Sequence, residues 1–136
     1  MARNVLVDAG FLVALLSRRD FHHQWAVTQA PSYAPPWRTC EAILSEAFHL
    51  LGVRGMSGLS ALLRRRVLIA AFDLDNNLES VLKLLQKYAN VPMSLADACL
   101  VRMTEILADP VLLTTDSDFR IYRRHSRQVV PSVMPK

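Results

Sequence analysis

Cysteine is nearly missing from this chain of 136 residues; Cys40 and Cys99 are the only two. Two cannot form a disulfide framework, and their separation matches no metal-ligand spacing, which excludes a stapled miniprotein or a zinc ribbon. Long apolar runs are missing too. None approaches the about 20 residues needed to cross a bilayer, and no signal-peptide pattern opens the chain, so a soluble cytoplasmic protein with no membrane partner is expected. Lysine is scarce: 13 of the 16 basic residues are arginine, against 12 acidic ones, for a net charge of +4. Arginine presents a planar fork suited to phosphate, so this balance leans toward a polyanionic partner, with an arginine-rich but merely solvated surface as the plain alternative. Repeats and low-complexity linkers are lacking. With 51% hydrophobic and 21% charged residues, a single domain spanning 1–136 can bury a real core without staples.

The pattern along the chain alternates short apolar runs with helical stretches. Asn4 to Val7 reads as a buried strand ending in the turn Asp8-Ala9-Gly10, with a helix over Phe11 to Leu16 and another from Phe21 to Gln29. Prolines 31, 35 and 36 make the next stretch extended or looping. Helices are predicted over Thr39 to Leu51, stopped by Gly52, and over Ser57 to Arg66. Val67 to Phe72 reads as a strand. Asp75 to Tyr88 is amphipathic, with Leu78, Val81, Leu82 and Leu85 as its apolar stripe. After Pro92, a helix over Ser94 to Ala108 leads to a strand at Val111 to Thr114, a short helical piece at Asp116 to Asp118, and an extended run from Val129 to Val133. Such alternation predicts an α/β fold: three layers, α/β/α, around a mostly parallel sheet.

Four acids stand where acids are costly. Asp8 and Asp116 each follow an apolar strand, where sites form in open α/β sheets. Asp97 is enclosed in Leu95-Ala96-Asp97-Ala98-Cys99-Leu100-Val101, and Glu46 interrupts the apolar arc of its helix. Ordinary roles exist for each: Asp8 and Asp116 as helix N-caps, Ser94 with Asp97 as a capping box, Glu46 as a border residue. Together, several carboxylates with few bases near them in sequence point to a hard, oxygen-preferring divalent cation, Mg²⁺ or Mn²⁺.

The ordered set Val5-Leu6-Val7-Asp8-Ala9-Gly10-Phe11-Leu12, Leu44-Ser45-Glu46-Ala47, Leu95-Ala96-Asp97-Ala98 and Leu113-Thr114-Thr115-Asp116-Ser117-Asp118-Phe119 resembles the PIN-domain ribonucleases, and among them the VapC-like toxins of bacterial toxin–antitoxin pairs. The resemblance covers almost the whole chain. It implies a PIN-like fold and a Mg²⁺- or Mn²⁺-dependent endoribonuclease with Asp8, Glu46, Asp97 and Asp116 as its catalytic and metal-binding acids. Thr114 matches a small polar position that accompanies the fourth acid, and Asp118 assists. A homodimer and a cognate antitoxin protein are implied as partners beside the RNA substrate. Under that reading Asp8 and Asp97 hold the principal ion, Asp116 supports it, and Glu46 orients water or a second ion. Two departures stand out. Ala9 occupies a position where the family carries Ser or Thr, and Glu41, about 140° around the helix from Glu46, is the reserve candidate for its place.

Leaving out the four acids, the rest of the molecule carries 16 positive against 8 negative charges, or +8, a complement to RNA phosphates. Arg120, Arg123, Arg124 and Arg127 are the backbone-binding candidates, with Arg64 to Arg66 either a second cluster or a helix end suited to cations. Histidines 22, 23 and 125 are expected on the surface, and His49 at an interior or boundary position. Trp25 and Trp37 are expected to pack rather than stack bases. Leu59, Leu62 and Leu63 fit core or a protein interface equally. Two rivals remain: a catalytically weak or inactive PIN-like RNA-binding module, supported by Ala9, and a phosphoacceptor receiver domain. The latter would want paired acids after the first strand and a lysine near a late strand end, and Lys83, Lys87 and Lys136 are not so placed.

Overall fold

The structure, a computed structural model, describes residues 3–136. Its centre is a sheet of five parallel strands, lying in the order β3 (Leu68–Ala70), β2 (Trp37–Thr39), β1 (Asn4–Val7), β4 (Pro110–Leu113) and β7 (Ser132–Val133). The two middle strands are β1 (Asn4–Val7) and β4 (Pro110–Leu113). They run in register from Asn4 opposite Pro110 to Val7 opposite Leu113. Val5, Leu6, Val7, Val111, Leu112 and Leu113 are all buried, as strands covered on both faces must be. That is why both read as continuous apolar runs rather than alternating ones. Flanking them are β2 (Trp37–Thr39), β3 (Leu68–Ala70) and the C-terminal β7 (Ser132–Val133).

Among the described residues, five α-helices complete the layers: α1 (Ala9–Leu16), α2 (His23–Gln29), α3 (Glu41–Arg64), α4 (Leu78–Lys87) and α5 (Leu95–Ile106). The chain steps from β1 outward to β2 and β3 through α1, α2 and α3, then returns through α4 and α5 to β4 on the other side of β1. Right-handed crossovers in opposite directions put the two helix groups on opposite faces. α1 accordingly packs on α2 and α3, while α4 packs on α5. The order reverses between β1 and β4, so a crevice opens at their carboxyl ends. Helices α1, α3 and α5 all begin at that end of the sheet. No helix among the described residues is long and apolar enough to cross a membrane.

Several expectations need correction. The helix break expected at Gly52 is present: its φ of 64° and ψ of −164° lie in a region open essentially to glycine and kink α3 into two helical segments, but the second starts directly after Gly52 rather than at Ser57. Trp37–Thr39 is a strand, where a helix was expected to start at Thr39 and no element was expected at Trp37 and Arg38. Its three residues sit between a proline and a helix, too short a run to show a period. The amphipathic stripe on α4 is rotated: Val81 and Leu84 are buried, whereas Leu78 and Leu82 are exposed. The extended run at the C-terminus divides, with Gln128–Val129 (β6) pairing antiparallel with Arg123–Arg124 (β5) and Ser132–Val133 joining the main sheet.

Candidate active site

Strand β1 delivers Asp8 to the crevice. Its side chain is 6% exposed, and both oxygens have donors: Oδ1 accepts from the Ala9 N–H at 2.7 Å and Oδ2 from the Thr114 hydroxyl at 2.6 Å. Thr114, just past β4, is fully buried, and its Oγ1 also accepts from the Asp116 N–H at 3.0 Å. One hydroxyl therefore ties the two strand-end acids together across the switch point. Asp116 Oδ1 in turn accepts from the Asp118 N–H at 2.9 Å and opens the single helical turn Ser117–Arg120. A Cβ on Gly10 would collide with Thr115 Oγ1, so the first turn of α1 approaches the loop after β4 this closely only because residue 10 is glycine.

Asp97 enters from the start of α5. It is the third residue of a complete capping box, with the Ser94 hydroxyl accepting from the Asp97 N–H at 3.0 Å. Asp97 Oδ2 accepts from the Ser94 N–H at 3.5 Å and from the Tyr122 hydroxyl at 3.0 Å. The capping roles expected of Asp8, Asp97 and Asp116 are thus real. The same bonds fix where each carboxylate points, and three helix beginnings lend it favourable dipoles.

The electrostatics show that these acids share one environment. Loss of water on burial pushes the Asp8 carboxyl up to about 7; its hydrogen bonds from Thr114 and Ala9 oppose this, while the charges of Asp97 and Asp116 add to it. Asp97 is raised by burial first and by Asp116, against the donation from Tyr122. Glu46, although on the exposed rim, is raised by partial desolvation and then by Asp97 and Asp116. The structure therefore brings Glu46 into the field of the other acids. Glu41 instead lines a cavity of about 340 Å³ with Cys40, Phe72, Leu74, Leu95 and Cys99. Among the described residues the only ion pairs are Arg3–Asp109 and Arg102–Glu105, so no basic side chain neutralises the set.

An all-oxygen, anionic donor set without an internal counter-ion fits a hard divalent cation in its chemistry. The arrangement is not a closed cage: among the described residues no three His, Cys, Asp or Glu side chains converge closely enough to hold an ion as they stand. Uncompensated carboxylates repel one another, and closing a coordination shell requires side-chain rotation toward the cation. Asp97 Oδ1 and Asp116 Oδ2, whose companion oxygens are already bonded, and the Glu46 carboxylate make no hydrogen bond among the described residues and are the atoms left to meet a cation.

The arginines divide by role. Arg123 donates to the carbonyls of Arg120, Ile121 and Tyr122. Arg124 donates to the Thr104 carbonyl and to Gln128 Oε1. Both are occupied in holding the β5–β6 hairpin, while Arg120 and Arg127 are exposed. His49 is exposed rather than interior, and His23 is half-buried with Nδ1 against the Ala14 carbonyl at 2.7 Å. Trp25 and Trp37 pack edge-on against Phe11. Leu59 is core, with Leu62 and Leu63 packed against it; the exposed apolar residues of α3 are Leu50, Val53 and Met56. Sequence reasoning missed Tyr122, because a tyrosine 25 residues beyond Asp97 in an arginine-rich stretch carries no periodic signal.

The model of the PIN-domain family matches residues 5–124 of the chain. Among solved structures, the crystal structure of Mycobacterium tuberculosis VapC20, a sarcin–ricin loop cleaving toxin, has a TM-score of 0.70 at 23% identity, covering 85% of this chain and 92% of that one. At that identity the likeness is one of fold. No curated protein matches the chain significantly by sequence.

Proposed function

Because this chain belongs to the PIN-domain family, we propose that it is a Mg²⁺- or Mn²⁺-dependent endoribonuclease, the toxin of a toxin–antitoxin pair, acting on RNA in the cytoplasm. The observation that carries this is Asp8: a nearly buried carboxylate with no basic partner, whose ionisation is opposed by two further acids. A buried acid of this kind is either held protonated or met by a cation, and the gathering of two further acids beside it supports the cation. Asp8, Asp97 and Asp116 would hold the ion, which acidifies water and offsets charge on a phosphodiester when bound. Thr114 keeps Asp8 and Asp116 in one orientation, with its Oγ1 hydrogen directed at Asp8 Oδ2. Glu46, on the rim, orients the attacking water and takes up its proton at a carboxylate oxygen. Exposed Arg120 and Arg127 meet the RNA backbone. Exposed Leu50, Val53 and Met56 support a protein partner on α3, an antitoxin or a second copy.

The test is cleavage of structured RNAs with Mg²⁺ or Mn²⁺, beginning with a sarcin–ricin loop hairpin because the VapC20 fold relative is named for cleaving one. Cleavage is expected to require the metal and to fall by about 100-fold or more in Asp97→Asn. One observation favours the rival, a silent RNA-binding module: Ala9, 1% exposed, offers no hydroxyl beside Asp8. RNA bound but intact across both metals and a range of pH would establish that rival instead.

A further inference from the structure

Tyr122 is completely buried, yet its hydroxyl reaches an acid of the cluster. Its ring packs edge-on against Phe119, with centroids 5.3 Å apart, and against Tyr88 at 5.1 Å. Its backbone is held on both sides. The Tyr122 N–H donates to the Asp118 carbonyl at 3.2 Å, and the following Arg123 N–H donates to the Tyr88 hydroxyl at 2.9 Å. A phenol so fixed cannot follow a moving partner; Asp97 must conform to it. With Oδ2 held by Tyr122 and Ser94, Oδ1 is the atom of Asp97 left for another ligand. A buried tyrosine hydroxyl needs some acceptor, but an acceptor chosen from the acid cluster has a consequence beyond satisfaction.

We propose that Tyr122 is a positioning residue for the divalent cation, holding Oδ2 of Asp97 so that Oδ1 is presented to an ion shared with Asp8 and Asp116. This rests on the acid-cluster reading above. The experiment is Mn²⁺ binding to the full chain, followed by loss of the free-ion electron paramagnetic resonance signal at a temperature where every variant is folded. Wild type is expected to bind. Tyr122→Phe, which removes one oxygen and keeps the ring, should weaken Mn²⁺ binding about tenfold or more. RNA cleavage by that variant should return as Mn²⁺ is raised by the same factor, which separates positioning from general damage. Tyr33→Phe, which removes a tyrosine hydroxyl beside Arg3 and Asn4, at the opposite end of β1 from Asp8, should leave Mn²⁺ affinity unchanged. Equal affinities in wild type and Tyr122→Phe overturn the proposal while sparing the acid site, as does cleavage that no Mn²⁺ concentration restores. A wild type that binds no Mn²⁺ overturns the acid-site reading and this proposal together. If Tyr122→Phe does not fold, near-ultraviolet circular dichroism of wild type decides: a tyrosine change on adding Mn²⁺, absent in Asp97→Asn, is expected, and no change overturns the proposal.

Discussion

At the scale of single residues, Asp8 sets the pH behaviour. Its carboxyl keeps a proton up to about 7 in the folded protein but releases it near its ordinary 3.8 when unfolded. Between those values the folded state binds more protons, so stability is fully present below about 4 and declines as pH rises through 7. Asp8→Asn removes that penalty. In thermal unfolding without metal it is expected to exceed wild type at pH 8 by about 1–3 kcal/mol, with the gap closing toward pH 4. An Asn variant no more stable at pH 8 than at pH 4, relative to wild type, would contradict the burial described. Thr114 makes the opposite case. Thr114→Val leaves Asp8 Oδ2 without its donor and the Asp116 N–H without its acceptor, a cost of about 2–3 kcal/mol in urea unfolding, whereas Thr114→Ser should recover most of it.

At the scale of elements, the bend in α3 is enforced by one residue. Gly52 has open space around its Cβ position, so any cost of Gly52→Ala comes from its backbone conformation alone. About 1–3 kcal/mol of destabilisation is expected by denaturant titration; a neutral substitution would mean the bend relaxes freely. The elements that sequence made legible are those with a strong local signal. β1 and β4 are buried on both faces, read as unbroken apolar runs, and end in acids, so both the crevice and two of its carboxylates were visible. The capping box marked the start of α5 and hence Asp97. β2 was not visible, and β7 was legible only as part of the extended run 129–133, because strands of three and two residues beside prolines owe their form to pairing with a neighbour. The α4 stripe misled because its leucines outnumber the positions that face the core; Leu78 and Leu82 look apolar in sequence and stand in solvent. Contacts between distant segments left no trace: neither the Thr114–Asp8 bond, nor the Tyr122–Asp97 bond, nor the capture of Arg123 and Arg124 by carbonyls follows from any spacing.

At the scale of the whole molecule, the residues outside the acid cluster carry a surplus of +8, while the cluster itself has no ion-pair partner among the described residues. Under the proposed function, that surplus engages RNA by releasing counter-ions. For the cleavage-deficient Asp97→Asn protein, affinity for an RNA hairpin is expected to fall roughly 10- to 100-fold between 50 and 200 mM salt. Arg120→Ala and Arg127→Ala should each flatten that dependence by about 0.7–1 in logarithmic slope. Arg123→Ala and Arg124→Ala should act first on stability, since those side chains hold the hairpin. Salt dependence unchanged by Arg120→Ala and Arg127→Ala would place the RNA on another face.

Everything functional depends on whether the carboxylates at the β1–β4 crevice close around a cation. The most direct measurement is anomalous X-ray diffraction from crystals grown with Mn²⁺. The expected result is a manganese peak within bonding distance of oxygens from Asp8, Asp97 and Asp116, with Glu46 at its edge. A saturating soak that leaves the crevice without a peak, or places manganese at other residues, would contradict it.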